Sequence, residues 1–261
     1  MDYSPTEIMT IEAARRLKNG YVCFVGIGMP SAAANLARLT HAPDVVLIYE
    51  SGTIGAKPNV LPLSIGDGEL AEYADTVVSI PEIFRYWLQG GRVDVGFLGA
   101  AQIDRFGNIN TTVIGGEYSQ PKVRLPGAGG APEIASNAKE VWIIMKQTKR
   151  SFVPKLDFLT SVGHLDGGDS RRNSGARGAG PTAVITDLGV LAPDPATREL
   201  TLVAIHPGIT VEHVKASTGW DLKVAQKLAA TSAPSAAELA TLRDLQARTA
   251  KAHGTTAAGD A

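Results

Sequence analysis

The stretch YVCFVGIGMPSAAANLARLTHAPDVVLIYE, residues 21–50, decides the fold. Its first five residues, Tyr21-Val22-Cys23-Phe24-Val25, form a short apolar run of strand length, rich in β-branched and aromatic side chains. Gly26-Ile27-Gly28-Met29-Pro30 then reads as a glycine loop. Ser31–Thr40 (SAAANLARLT) reads as a helix, and Val45-Val46-Leu47-Ile48-Tyr49 as a second buried strand. Two continuous apolar strands joined by a helix signify a right-handed crossover between parallel neighbours. The expected class is therefore α/β, an open, mainly parallel sheet flanked by helices.

Working outward, Ser4-Pro5-Thr6-Glu7 carries a helix start: a capping serine, proline at the first position and a glutamate to close the box. Gly20 is the expected stop. Further strands are expected at Val93–Ala100, Glu140–Met145, Thr182–Thr186 and Leu200–Ile205, with a loop and helices between Gly66 and Trp87. The glycine-rich, charged segment Gly163–Pro181 reads as a surface loop. Ser235-Ala236-Ala237-Glu238 is a second capping box, opening a helix to about Ala252. No internal repeat and no linker divides the chain, so residues 1–252 read as one domain, with 253–261 as a disordered tail.

Composition narrows the function classes. Among 261 residues, 25 Lys+Arg balance 26 Asp+Glu, which argues against a basic nucleic-acid surface. The single cysteine, Cys23, excludes an internal disulfide framework and falls in a predicted core strand. No apolar stretch reaches the roughly 20 residues a membrane helix needs, and no leader is visible at the start. The expectation is a soluble cytoplasmic protein that engages neither membrane nor nucleic acid. The five histidines have no metal-ligand spacing, so no metal is expected.

Glu50 directly follows VVLIY and precedes Ser51-Gly52, at a strand's carboxyl end, where open parallel sheets gather ligands. Position alone is also compatible with a plain surface acid. The turn Gly26–Ser31 with Glu50 beyond it partly matches a dinucleotide fingerprint, which would make the chain a nicotinamide-dependent dehydrogenase. Against that, Ser31 stands where the third glycine belongs, and Pro30 removes an amide. Gly127-Ala128-Gly129-Gly130-Ala131-Pro132 exposes backbone amides suited to an oxyanion, or is simply a turn. Lys146, Lys149, Arg150, Lys155, Arg171 and Arg172 form a basic set that a phosphate or dicarboxylate ligand could use, though solvated faces are the common fate of such charges. GxSxG, Walker-A and HExxH motifs are all missing from the sequence.

Taken together, VGIGMP (25–30), APD (42–44), YESGTIGA (49–56), FLGAAQIDRFGNIN (97–110), PKVR (121–124), GAGGA (127–131) and HPGIT (206–210) resemble the β subunit of family I coenzyme A transferases, in the glutaconate-transferase-like branch. The resemblance covers most of residues 5–225 and is poorest over Arg171–Ala179. It implies that Glu50 is the nucleophile; decarboxylase and hydrolase relatives carry another residue there. It implies that Gly28 and the amides of Gly129, Gly130 and Ala131 lie against the thioester and pantetheine. It also implies acyl-CoA and a short dicarboxylic acid as substrates, no metal or redox cofactor, and a homologous α subunit in an α2β2 assembly.

Overall fold

The computed structural model describes residues 2–254. They form two compact units, one from residues 2–87 with 233–254, the other from Leu88–Ser232.

The first unit begins with α1 (Pro5–Arg16), whose capping box is formed as the sequence requires: Glu7 N donates to Ser4 Oγ at 3.2 Å and Ser4 N to Glu7 Oε2 at 2.7 Å. The helix ends earlier than expected, at cap residue Leu17, and Gly20 (φ +78°) serves the turn after it. Then come β1 (Val22–Phe24), α2 (Met29–Leu39) and β2 (Val46–Ile48), with β1 and β2 paired in parallel, Cys23 opposite Leu47. Helix α2 starts two residues before the expected Ser31. Gly28 at φ +81° can cap it, and Pro30 fits its first turn. β3 (Thr53–Ile54), α3 (Glu69–Glu72), β4 (Thr76–Val77) and α4 (Ile80–Glu82) follow, β3 pairing antiparallel with both β2 and β4.

A C-terminal helix (Ala236–His253) completes this unit against α1 and α2, burying Leu239, Leu242 and Leu245. The two capping glutamates are shared between the helices. Arg243 of the C-terminal helix meets Glu7 at 2.6 Å, and Arg15 of α1 grips Glu238 at 2.6 and 2.7 Å. His253 belongs to this helix rather than to a tail, and Gly254 caps it at φ +65°. The rest of the expected tail lies outside the described residues.

The second unit holds β5 (Val95–Leu98), β6 (Gln102–Ile103), β7 (Ile109–Asn110), β8 (Val113–Glu117), β9 (Gln120–Arg124), α5 (Ala131–Asn137), β10 (Glu140–Ile144), α6 (Ser170–Asn173), β11 (Pro181–Ile185), β12 (Gly189–Pro193), β13 (Leu200–Ile205), α7 (Val211–Ala216) and β14 (Lys223–Ala230). β10 lies parallel between β5 and β11. β12 is antiparallel to β11 and β13, and β14 runs parallel to β13. The α/β class holds, with parallel pairs where the apolar runs place them and antiparallel strands added beside them. Helix α5 rests on β5 at Gly96, where even a Cβ would meet Ile134 Cγ2 at 2.3 Å. The segment Gly163–Pro181 is not all surface: Arg171 is buried and donates to the carbonyls of Ala135, Gly163, Arg177 and Gly178. No described helix is long and apolar enough to cross a membrane.

Candidate active site

In the first unit the site is built from the carboxyl ends of β1 and β2. Tyr49, the residue after β2, is fully buried, and burial pushes its phenol up to about 12, so the ring stays neutral. Its Oη shares a hydrogen bond with Ser31 Oγ at 2.8 Å, while Asn35 Nδ2 donates to it at 3.4 Å and to Ser31 O at 2.9 Å. Arg38 then donates to Asn35 Oδ1 at 3.2 Å. Ser31, Asn35 and Arg38 recur at helical spacing on one face of α2, so β2 is pinned to that helix just before the chain turns.

The turn is tight. Gly52 N donates to Tyr49 O at 3.0 Å, which leaves Glu50 and Ser51 as its two central residues. Gly52 sits at φ +107°, and a Cβ there would lie 2.0 Å from Val78 O. The glycine is therefore required by the close approach of the backbone after β4, a different reason from access for a substrate. Tyr49 N donates to Thr53 O at 3.1 Å, and Val78 N to Gly52 O at 2.9 Å, closing the turn on both sides.

Glu50 is half-buried at this tip, and its carboxylate makes no hydrogen bond or ion pair with any described residue. No described side chain holds its carboxyl group, and the turn partly shields it from water. Gly28 lies in the same unit, exposed, at the neighbouring strand end; a Cβ there would meet nothing within 4 Å, leaving room for a ligand.

The glycine loop belongs to the second unit. Thr111 holds its start: Thr111 Oγ1 donates to Gly127 O at 2.8 Å, and Gly127 N to Thr111 O at 2.9 Å. Gly127 (φ +105°) and Gly129 (φ +50°) take left-handed conformations with open space where a Cβ would be. The amides of Gly129 and Gly130 make no hydrogen bond with described residues, whereas Ala131 N is used by Ala128 O at 3.1 Å. The arrangement can therefore offer two adjacent donors to an oxyanion, with the third engaged in the turn.

A family model for coenzyme A transferase matches residues 6–217. The chain belongs to the coenzyme A transferase family. This transferase is 68% identical over 252 residues to the β subunit of the 3-oxoadipate CoA-transferase of Pseudomonas knackmussii, covering 97% of this chain and 96% of that one. It is 36% identical over 250 residues to the β subunit of the glutaconate CoA-transferase of Acidaminococcus fermentans, covering 93% and 92%. The crystal structure of glutaconate coenzyme A-transferase from Acidaminococcus fermentans superposes with a TM-score of 0.87 at 35% identity, covering 93% and 94%. Both of these relatives are named as one subunit of their enzyme.

Family membership removes support from the dinucleotide reading, and the structure supplies a physical reason. Ser31, in place of the third glycine, spends its hydroxyl on Tyr49. Other sequence candidates turn out to be parts of the frame. Cys23 is buried in β1. His206 of HPGIT is a buried strut, Nδ1 at 2.7 Å from Thr231 Oγ1 and Nε2 at 2.8 Å from Thr186 O, and Thr210 caps α7. Lys146, Lys149, Arg150 and Lys155 are solvated. Among the described residues no three His, Cys, Asp or Glu side chains gather as a metal set.

Sequence reasoning did not single out the hydroxyls of Ser51 and Thr53. Both oxygens are buried without a hydrogen-bond partner among the described residues, although such a group costs about 1–3 kcal/mol. Nothing in the sequence signals this, since lack of a partner is a property of the folded surroundings.

Proposed function

We propose that this chain is the β subunit of a 3-oxoadipate CoA-transferase, carrying CoA from succinyl-CoA to 3-oxoadipate in aromatic-compound degradation, with Glu50 as the nucleophile. The observation that carries the assignment of Glu50 is its unpartnered, half-buried carboxylate at the tip of a turn locked on both sides. Near-end-to-end identity of 68% to one chain of a 3-oxoadipate CoA-transferase supports 3-oxoadipate as the acceptor.

In this reading a Glu50 oxygen attacks the thioester carbonyl of succinyl-CoA. The C–S bond breaks, giving a succinyl-glutamyl anhydride and CoA thiolate. The thiolate attacks the glutamyl carbonyl, its C–O bond to the succinyl group breaks, and succinate leaves behind a glutamyl-CoA thioester. A carboxylate of 3-oxoadipate then attacks that thioester and expels the thiolate. The thiolate attacks the 3-oxoadipyl carbonyl of the new anhydride, releasing 3-oxoadipyl-CoA and restoring the Glu50 carboxylate. Each half balances in charge without net proton transfer, and the kinetics are ping-pong. The chemistry calls for neither metal nor redox cofactor. Gly28 lies against the pantetheine; in the Gly129, Gly130 and Ala131 segment the first two amides are left for a thioester oxygen, and Ala131 N, held by Ala128 O, braces the turn. Remote CoA contacts contribute to activating the thioester. The enzyme acts in the cytoplasm as an α2β2 assembly with a homologous α subunit.

Glutaconate or another short dicarboxylate is the competing acceptor, favoured by the structural likeness at a TM-score of 0.87. Initial rates of the two-subunit complex with succinyl-CoA and a panel of acids decide between them. The proposal expects kcat/KM highest for 3-oxoadipate; a higher value for glutaconate overturns the assignment of the acceptor.

A further inference from the structure

We propose that the Ser51 and Thr53 hydroxyls are catalytic donors to the glutamyl carbonyl of the acylated enzyme, a role that rests on Glu50 being the nucleophile. Five buried side-chain polar atoms lack a partner among the described residues, and two of them, Ser51 Oγ and Thr53 Oγ1, follow Glu50 by one and three residues. The other three belong to Arg16, Ser161 and Trp220, far from Glu50 in the sequence. Buried hydroxyls ordinarily find acceptors, so a pair left over in the turn that carries an unpartnered carboxylate needs an explanation in chemistry.

The backbone keeps both hydroxyls where they are. Ser51 is the second central residue of the turn closed by Gly52 N and Tyr49 O at 3.0 Å. Thr53 lies opposite Tyr49, with Tyr49 N on Thr53 O at 3.1 Å, and so shares the sheet face that Tyr49 anchors to α2. Neither hydroxyl bonds the resting carboxylate. That arrangement suits catalysis: a donor already bound to the carboxylate would stabilise the nucleophile and blunt it. After acylation the Glu50 Cδ becomes an anhydride or thioester carbonyl. Attack on that carbon places negative charge on its remaining oxygen, and donors engaged only then stabilise the transition state selectively. The two hydroxyls thus serve the oxyanion that forms on the enzyme's own glutamyl carbonyl.

The test uses the purified two-subunit complex carrying Ser51→Ala, Thr53→Val, Thr53→Ser or Glu50→Ala. Melting temperature, kcat, KM and the rate of glutamyl-CoA thioester formation from succinyl-CoA alone, followed by intact mass, are measured for each. Thr53→Val keeps shape and removes a hydroxyl that bonds nothing, so its melting temperature is expected to hold or rise. Ser51→Ala and Thr53→Val are each expected to slow thioester formation and kcat about 10- to 100-fold with little change in KM, and Thr53→Ser to recover most of the loss. Wild-type rates in both Ser51→Ala and Thr53→Val overturn the proposal, as does loss of activity only in step with lost melting temperature. An active Glu50→Ala complex refutes instead the reading beneath it.

Discussion

Replacing Arg171 with methionine isolates the contact that organises the 163–180 segment. The guanidinium is 5% exposed and donates to Ala135 O at 2.7 Å, Gly163 O at 2.9 Å, Arg177 O at 2.5 Å and, more weakly, Gly178 O at 3.4 Å. No carboxylate stands beside it, and burial pulls its pKa down to about 10. Four carbonyls therefore carry the compensation that an ion pair would otherwise supply. Each charge-assisted bond is worth about 1.5–3 kcal/mol. Methionine removes the buried charge together with the bonds, so the net loss is well below their sum, about 3–5 kcal/mol. In a chain of this size that lowers the melting temperature by roughly 10 °C. Calorimetry of Arg171→Met and Arg171→Lys checks the reasoning, lysine being expected to recover only part, since one ammonium has three donors and no fork. A methionine variant melting within about 2 °C of the parent refutes it.

Acid should loosen the helix layer of the first unit. The Arg15 guanidinium, helped by Ser235, holds Glu238 down to about 2, so its contribution is full above the unfolded carboxylate pKa near 4.3 and fades as pH falls toward 2. Glu238→Gln is expected to flatten the pH dependence of melting temperature over that window, and an unchanged slope would speak against the pairing. Gly52→Ala forces a side chain into φ +107° and onto Val78 O; a loss of about 3 kcal/mol and a large drop in kcat are expected from denaturant titration and turnover.

Parts of this molecule were readable because their causes are local. Ser4 with Glu7 and Ser235 with Glu238 satisfy orphan amides within one turn of helix, so their boxes appear as spelled. The alternation of apolar runs with one helix likewise placed β1, α2 and β2, and the glutamate at their carboxyl edge. Strands whose existence depends on a neighbour were not readable. β14 (KVAQKLAA) is rich in alanine and lysine, largely exposed, and extended because β13 offers it a ladder. β12 is five residues ending in Pro193, and it too forms by pairing. The same distinction runs through the site. The place of Glu50 at a strand's carboxyl end is readable from the sequence, whereas the true duty of Gly52 depends on Val78, 26 positions away, and the idle hydroxyls of Ser51 and Thr53 depend on everything around them.

The most direct measurement is borohydride trapping on the two-subunit complex incubated with succinyl-CoA, followed by digestion and peptide mass spectrometry. The account predicts that Glu50, and no other carboxylate of this chain, is recovered as the reduced alcohol, and that excess 3-oxoadipate, added before the reductant once free succinyl-CoA has been removed, strips most of the label. An unmodified Glu50 in a complex that still transfers CoA would contradict it.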